Sequence, residues 1–305
     1  DGQKEGSNYG PNCWIVRSSG GLAQAVMDDT EADRNWNWTP SWSPDGRSIT
    51  YSTMPPMSQE AQLAIYDVLN SSVSVIVEKI ISTRWTDWTK WCSWSPDGRQ
   101  LVYATPVANA SAPAGYDTTM FLIKTSKDSP PVVLQQGRVP SWSSDGRHIA
   151  FRSTATNNGE LGIYNVDDAK VSFPVMNIEG TKDDLAFSPD GEIIAYVNTV
   201  DSEEDLWIYD TATGDKLQLT FDGVPKWMVT WSSDGENIAY IRDRDIWHVP
   251  SFGGQSVRLT THPRWDAFPF WSVVETDKIY YGSLRTGWEL WSTTLEGVEK
   301  FVVNP

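Results

Sequence analysis

Six short segments with nearly the same alternation of apolar and polar residues recur along this chain. In each, an aromatic residue and a serine precede a polar turn, and a short strand-like stretch follows. Alternation with a period of two predicts a half-buried strand. Pro-Asp-Gly or Ser-Asp-Gly predicts a tight turn, because Pro fixes φ, Asp bonds its own backbone and Gly accepts positive φ. The aromatic residues that anchor the six copies are Trp42, Trp94, Trp142, Phe187, Trp231 and Trp271.

The spacing of these anchors predicts the fold. Successive anchors are 52, 48, 45, 44 and 40 residues apart, and each interval has room for two more strands, such as 206–210 and 216–220. A period of about 40–50 residues with four antiparallel strands is typical of a β-propeller blade. We therefore predict one all-β propeller domain over residues 1–305. The anchors should fill the wedges between blades, and the turn aspartates should serve turn geometry.

The repeated phrase resembles the TolB-like, WD40-like PD40 repeat. The resemblance rests on the stretch from Pro40 to Arg47 and its copies, and on Ile-Tyr or Leu-Trp pairs in the third strands. It covers nearly the whole chain, although Val-Val-Glu-Thr at 273–276 replaces the usual turn in the last copy. The family includes periplasmic protein-binding propellers, propeller domains of prolyl-oligopeptidase-type peptidases and propellers attached to polysaccharide-active proteins. The resemblance therefore implies a fold and no single activity.

The N-terminal segment, residues 1–30, contains an extra hairpin. Residues 13–27 resemble the third and fourth strands of a blade, as at 246–258. The chain thus has six inner strand pairs and seven outer pairs. Six blades fit if the hairpin packs on a rim or edge. Seven fit if it pairs with inner strands beyond Pro305 in a longer chain. The family resemblance favours six.

Composition narrows the class of partner. The net charge of −16 and the pI near 4.5 argue against nucleic acid, whose phosphates require a basic surface. No stretch is apolar enough to predict insertion into a membrane.

The first residue and the cysteines bear on how the chain is processed and where it is located. Asp1 opens the chain without Met, which we interpret as a processed or excised chain. Cys13 and Cys92 are expected to be free thiols. The resemblance implies an extracytoplasmic location, periplasmic or secreted.

Tryptophan beside charged residues marks the predicted funnel mouth, where the fourth-to-first and second-to-third loops meet. Aromatic faces with flanking hydrogen-bonding groups suit a sugar ring or a peptide, and Arg adds recognition of carboxylate or sulfate. The alternative is that these tryptophans pack between loops. The candidate ligand-binding residues are Trp38, Arg84, Trp88, Arg138, Asp184, Trp227, Trp265, Asp266, Arg285 and Trp288.

Signatures of catalysis and of metal binding are weak. The chain has no Gly-x-Ser-x-Gly elbow, no His-Glu-x-x-His and no phosphate-binding glycine loop. His262 is the histidine in a mouth loop, and Asp184 with Asp266 would serve acid–base hydrolysis if they face each other. The acidic loop containing Asp201, Glu203, Glu204 and Asp205 has the ligand type for Ca²⁺, but a solvated loop is the simpler interpretation. No other cofactor is expected.

These observations favour a binding or interaction propeller that recognises a carbohydrate, peptide or protein partner at its mouth. One alternative is an enzyme, a polysaccharide lyase or glycosidase that uses the mouth carboxylates. Another is a structural subunit or domain of a larger assembly, of the peptidase-like or envelope kind. The weak catalytic signatures incline us against enzymatic activity.

Overall fold

The computed structural model describes residues 14–15, 24–25, 36–54, 60–81, 92–111, 116–126, 129–155, 160–175, 184–201, 203–273, 275–285 and 289–303. These residues form strands and turns, and among them no helix is long and apolar enough to cross a membrane. Every strand pair is antiparallel. The prediction of an all-β chain is confirmed.

Twenty-three of the strands form six antiparallel units, which we call blades 1 to 6. A separate hairpin contains β1 (Trp14–Ile15) and β2 (Gln24–Ala25). Blade 1 contains β3 (Trp36–Trp42), β4 (Ser48–Met54), β5 (Glu60–Asp67) and β6 (Ser72–Ile81). Blade 2 contains β7 (Cys92–Trp94), β8 (Gln100–Ala108), β9 (Tyr116–Lys124) and the start of β10 (Val132–Trp142). Blade 3 contains the end of β10, β11 (His148–Ser153), β12 (Leu161–Asn165) and β13 (Val171–Val175).

The other three blades repeat the same order, with each strand paired to the next. Blade 4 contains β14 (Leu185–Phe187), β15 (Ile193–Val200), β16 (Glu203–Asp210) and β17 (Lys216–Gln218). Blade 5 contains β18 (Lys226–Trp231), β19 (Asn237–Arg242), β20 (Asp245–Pro250) and β21 (Val257–Arg258). Blade 6 contains β22 (Asp266–Trp271), β23 (Lys278–Ser283), β24 (Glu289–Thr294) and β25 (Lys300–Val303).

One strand, β10, belongs to two blades. Its first part pairs with β9 from Val132 to Gln136, and its second part pairs with β11 from Gly137 to Trp142. The register shifts in both ladders, and Val139 has a φ of 53°. Blades 2 and 3 therefore share a continuous seven-stranded sheet.

The Ser-x-Asp-Gly turn holds the first two strands of a blade together. In blade 1 the Ser43 hydroxyl donates to the Asp45 carboxylate (2.7 Å) and accepts the Ser48 amide (2.9 Å), while Asp45 also accepts the Arg47 amide (3.1 Å). Gly46 has a φ of 68°, a conformation that glycine adopts without the steric penalty of a Cβ. The hydrogen bond from Ser43 is the main cause that lowers the pKa of Asp45. The same contacts recur around Asp97, Asp145, Asp190 and Asp234. The predicted structural role of these aspartates is confirmed.

The hydrophobic core lies between blades. Five of the six clusters among the described residues join the face of one blade to the next; for example, Leu206 of blade 4 packs with Val229 and Tyr240 of blade 5. Five anchors are buried as predicted, with exposed fractions of 7–8%. The prediction is wrong for Trp42, which is 50% exposed. In the described residues the structure that packs against its blade on this side is the short hairpin, through Ile15.

Cys92 is a free thiol in β7 and lies within this core. Burial raises the pKa of the thiol, and the Thr50 hydroxyl lies 3.4 Å from its sulfur. Cys13 lies outside the described residues. Cys92 therefore behaves as a core residue of the blade 1/2 interface.

Candidate functional site

The structure describes only part of the predicted mouth. Arg84, Trp88 and Trp288 lie outside the described residues, and for Trp38 only the backbone, in β3, is described. Six of the ten candidates have described side chains: Arg138, Asp184, Trp227, Trp265, Asp266 and Arg285. The last four of these belong to blades 5 and 6.

Trp227 and Trp265 come together where blades 5 and 6 meet. Their ring centroids are 5.9 Å apart, and the rings are tilted by 37°. Trp265 is 41% exposed, which is unusual for so large an apolar surface. Trp265 accepts the Leu284 amide through its carbonyl oxygen (3.0 Å), so the backbone below the ring is fixed. This aromatic pair therefore presents an accessible apolar surface.

Two exposed arginines flank the aromatic pair. The Asp266 amide donates to the Arg244 carbonyl (2.8 Å), which places the β19–β20 turn beside Trp265. Asp243 and Arg244 both have positive φ, 51° and 74°, so this tight turn holds non-glycine residues in the left-handed region. Arg264 precedes Trp265 in the chain and is exposed. We call the surface formed by Trp227, Trp265, Arg244, Arg264 and the exposed Phe268 the blade 5/6 rim.

Asp266 lies beneath this rim and is fully buried, at 0% exposure. Neither carboxylate oxygen makes a hydrogen bond to the described residues. Burial raises the pKa of Asp266, and the nearby Ser283 and Thr260 hydroxyls and Arg285 offset this only in part. Burial therefore disfavours the charged form of Asp266, and the side chain lies away from the exposed surface.

Asp184 and Arg285 are engaged in contacts within the fold. The Asp184 carboxylate accepts the Val229 amide (2.9 Å), which links blade 4 to blade 5. Arg285 pairs with Glu299, donates to the Ser283 hydroxyl (3.2 Å) and lies over the Trp291 ring at 3.5 Å. A guanidinium held by these contacts is occupied inside blade 6. A role for either residue in binding or catalysis stays a prediction.

His262 is half-buried in the loop before β22. Its Nδ1 accepts the Arg264 amide at 3.1 Å, so the ring braces the loop that presents Arg264 and Trp265. Arg138 is also half-buried, in the part of β10 that pairs with β11. A joint catalytic role for His262, Asp184 and Asp266 stays a prediction.

The acidic loop is a hairpin turn between β15 and β16. Val200 pairs with Glu203, and Asp201 has a φ of 53°. Because side chains alternate along β16, Glu204 points to the opposite face from Glu203 and Asp205. Among the described residues, His, Cys, Asp and Glu form no group of three or more that could hold a metal ion. Asp205 is instead buried against Lys226, and the proposed Ca²⁺ role stays an untested prediction.

Lys226 is a residue whose importance the sequence reasoning missed. It is fully buried, and four oxygens lie within hydrogen-bond distance of its ammonium, whose three N–H groups they share. These are the Glu204 carbonyl (2.8 Å), Asp205 Oδ1 (3.1 Å), Asp222 Oδ1 (2.7 Å) and the Val224 carbonyl (2.7 Å). Asp222 also pairs with Arg242 (2.7 Å). The sequence did contain a signal for Lys226: it stands 40 residues before Asp266, at the equivalent position of the preceding repeat, where the charge is opposite.

A cleft of about 420 Å³ lies between blades 3 and 4. Its lining comes from strand ends and turns, and none of the candidate residues contributes to it. The polar groups include the Asp168–Lys170 ion pair (2.9 Å), which leaves the lysine paired. The lining residues are His148, Ile163, Asn165, Asp168, Lys170, Val171, Ser172, Phe187, Gly191, Tyr209 and Thr211.

Comparison with known proteins places this chain among propellers. Among proteins of known sequence, it is 33% identical over 100 residues to the uncharacterized peptidase YuxL of Bacillus subtilis, covering 29% of this chain and 15% of that protein. The chain spans between 15% and 55% of the length of the curated relatives that it matches.

Two solved structures share the fold at low sequence identity. TolB from Acinetobacter baumannii aligns with a TM-score of 0.55 and 17% identity, over 94% of this chain and 57% of that chain. Oligogalacturonate lyase from Vibrio parahaemolyticus aligns with a TM-score of 0.69 and 13% identity, over 93% and 83%. At such identities these similarities establish the fold alone.

A family profile gives the assignment. The profile described as "PD40: TolB beta propeller domain" matches residues 126–296, more than half of the chain. The match agrees with the repeated turn phrase and with the four-stranded antiparallel blades. This chain is a member of the TolB beta-propeller (PD40) family.

Proposed function

We propose that this chain is a binding propeller and that the blade 5/6 rim recognises a peptide segment of a partner protein. The observation that carries the proposal is the tilted Trp227–Trp265 pair, with Trp265 41% exposed beside two exposed arginines. Exposed aromatic residues and Arg are enriched at recognition hot spots. The indoles would contact an apolar side chain, and Arg244 or Arg264 would pair with a carboxylate.

Two further points argue against catalysis by the predicted mouth residues, and one bears on the kind of ligand. Asp184 and Arg285 are committed to contacts within the fold, and Asp266 is buried. The matched Bacillus relative is described as a peptidase, which is consistent with a peptide at a propeller surface, although the chain covers only 15% of it. We also propose an extracytoplasmic location, periplasmic or secreted, on the basis of family membership, and a place in a larger assembly.

The test is selection of peptides from a phage-displayed random library, followed by calorimetric titration of the enriched peptides. We expect Trp265→Ala to weaken binding by about tenfold or more. Phe252→Ala is the matched control, because Phe252 is equally aromatic and 77% exposed but lies in the β20–β21 turn, and it should change affinity by less than about twofold. Peptide affinity that is unchanged in a folded Trp265→Ala protein would overturn the proposal.

Acidic oligosaccharide is the second candidate, because an exposed indole beside Arg244 and Arg264 also suits a sugar ring that carries a carboxylate. The same titration with oligogalacturonates of defined length separates the two. Binding of the oligosaccharide alone, lost in Arg264→Ala, would replace the peptide proposal. Accumulation of an unsaturated product during that titration would indicate a lyase instead of a binding protein.

A further inference from the structure

The junctions between blades 4 and 5 and between blades 5 and 6 repeat one arrangement, 40 residues apart. In the first, the Gln218 side chain donates to the carbonyl two residues later (2.8 Å) and to Asp205 Oδ2 (3.2 Å). In the second, the Arg258 side chain donates to the carbonyl two residues later (2.9 Å) and pairs with Asp245 Oδ2 (2.7 Å). Arg258 therefore has the position and the contacts of Gln218.

The other oxygen of each aspartate has different surroundings in the two junctions. Asp205 Oδ1 lies 3.1 Å from the Lys226 ammonium. In the described chain, Asp245 Oδ1 has one hydrogen-bond partner, the Thr260 hydroxyl at 3.5 Å. Arg258 does not replace the ammonium, because it pairs with Oδ2 and its side chain is 44% exposed. The described residues of the blade 5/6 junction thus supply no cation at the position of the Lys226 ammonium.

Asp266 stands where Lys226 stands in the preceding blade. It pairs with Ser283 across the ladder as Lys226 pairs with Arg242, so both side chains lie on the same face of their blades. Burial raises the pKa of Asp245, and the nearby charge of Asp266 adds to this rise. Asp266 is fully buried, and neither of its carboxylate oxygens has a hydrogen-bond partner among the described residues. A carboxylate in such surroundings is costly unless a partner binds it.

The two junctions differ in charge by one unit. In the first, two cations pair with two carboxylates, namely Lys226, Arg242, Asp205 and Asp222. In the second, Arg258 pairs with Asp245, and Asp266 adds a carboxylate without an ion-pair partner in the described chain. Arg285 and Glu299 lie nearby but pair with each other. One further positive charge would balance the blade 5/6 junction.

The contacts of Lys226 indicate which cation would fit. Its ammonium has four oxygens at 2.7–3.1 Å. Ca²⁺ takes six to eight oxygens at about 2.3–2.6 Å. The described part of the blade 5/6 junction offers two carboxylates and the Thr260 and Ser283 hydroxyls, and no third acidic ligand. A monovalent cation as large as an ammonium group matches both the distances and the missing charge.

We propose that the blade 5/6 junction binds a monovalent cation of potassium or ammonium size between Asp245 Oδ1 and the Asp266 carboxylate. The ion takes the position that the Lys226 ammonium has in the preceding junction, and the Thr260 and Ser283 hydroxyls complete its oxygen ligands. The site lies beneath the blade 5/6 rim, since the Asp266 amide donates to the Arg244 carbonyl (2.8 Å). Binding of the ion is independent of what the rim recognises.

Thermal unfolding of the 305-residue protein at pH 7 tests the proposal. The probe is KCl, compared with N-methylglucamine chloride at the same ionic strength, because N-methylglucamine is too large for a buried site. A ligand that binds only the folded state raises the melting temperature, and we expect KCl to raise it by about 2–4 °C. Ammonium chloride should act as KCl does, and NaCl should act less, because sodium is the smaller ion.

Substitutions at Asp266 separate the site from a general effect of salt. Asp266→Asn removes the charged ligand and should abolish the response to KCl. In N-methylglucamine chloride this variant should melt above wild type, and KCl should remove the difference. Asp266→Lys supplies an ammonium as in the blade 4/5 junction, so it should also melt above wild type in N-methylglucamine chloride and ignore KCl. The control is Asp215→Asn, an exposed carboxylate, which should keep the full response.

Anomalous diffraction locates the ion directly. A crystal soaked in rubidium chloride should give an anomalous peak between Asp245 and Asp266, since rubidium replaces potassium. Equal melting temperatures of wild type in KCl and N-methylglucamine chloride would overturn the proposal, because a proton or a water molecule would then suffice at Asp266. A response to KCl that persists in folded Asp266→Asn would also overturn it. A larger effect of NaCl than of KCl would overturn the ion size inferred from Lys226.

Discussion

The blade 4/5 junction and the blade 5/6 junction have the same backbone arrangement and opposite charges at one position. In the first, the Thr220 hydroxyl accepts the Leu206 amide (2.9 Å) and donates to Asp205 (2.7 Å). In the second, Thr260 accepts the Ile246 amide (3.0 Å) and approaches Asp245 (3.5 Å). Each residue stands 40 positions after its counterpart, so the two sites derive from one repeat.

The two junctions differ in which strand supplies the cation that pairs with the buried aspartate. At the 4/5 junction the inner strand supplies it, because Lys226 pairs with Asp205 and Asp222. At the 5/6 junction Asp266 takes the place of Lys226, and the outer strand supplies Arg258, which pairs with Asp245 (2.7 Å) where Gln218 stands in blade 4. The comparison teaches that the repeat specifies a backbone scaffold, while charge compensation is solved separately at each junction.

Removal of Lys226 should produce the largest effect. Lys226→Met keeps much of the side-chain volume but leaves Asp205 buried without its ammonium partner. Breaking a buried ion pair in this way costs about 3–5 kcal/mol in the free energy of unfolding. Denaturant titration measures the loss. Lys170→Met is the control, because it breaks the exposed pair with Asp168 and should cost no more than about 1 kcal/mol. Equal losses would mean that Lys226 is not the organising group of its junction.

Removal of Arg258 should have an intermediate effect. Arg258→Ala leaves the Asp245 carboxylate buried near Asp266, but the arginine is half-exposed, so solvent already weakens the pair. We expect a loss of about 1–2 kcal/mol in the free energy of unfolding. The double variant Arg258→Ala with Asp245→Asn should recover part of this loss in the same denaturant titration. Failure to recover any of it would assign the loss to packing of the arginine stem.

Neutralising Asp266 should have the smallest effect, with the opposite sign. Asp266→Asn removes a buried charge whose oxygens make no hydrogen bond to the described residues, so the variant should be more stable at pH 7, by about 1 kcal/mol. The exposed Asp215→Asn serves as the control and should change stability by less than about 0.5 kcal/mol.

The stability difference between Asp266→Asn and wild type should depend on pH. Folding raises the pKa of Asp266, so the folded protein holds this proton more tightly than the unfolded chain does. The contribution of Asp266 to stability is therefore complete below the usual aspartate pKa, and it falls as pH rises through the raised pKa. The stability gained by Asp266→Asn over wild type should accordingly grow from about pH 4 upward. A gain that is constant with pH would show that the carboxyl has its ordinary pKa in the fold.

The repeat itself could be predicted because its signals are local and periodic. The turn residues from Ser43 to Gly46 act within one hairpin, so their roles follow from the sequence. The prediction for Trp42 was wrong for the opposite reason. Its local sequence matches the other anchors, but its burial depends on which part of the structure packs against that face of blade 1.

The site was less predictable, because burial of a charge depends on partners far away in sequence. Asp266 and Arg285 were both assigned to the mouth from their loops, yet one is buried and the other is paired with Glu299. Lys226 lies in the same type of loop, but its structural role depends on its ion pair with Asp205, which is 21 residues away on another strand. Trp227 and Trp265 were identified because they stand beside charged residues in predicted mouth loops, and that signal is local in the sequence.

The shared strand β10 has a mechanical consequence for the ring. Because one strand hydrogen-bonds to both β9 and β11, blades 2 and 3 cannot swing apart without the loss of a backbone ladder. The other junctions in the described chain join separate sheets, which meet through side chains and loops. Hinge motion between blades would therefore open between those sheets, and blades 2 and 3 would move together as one rigid unit.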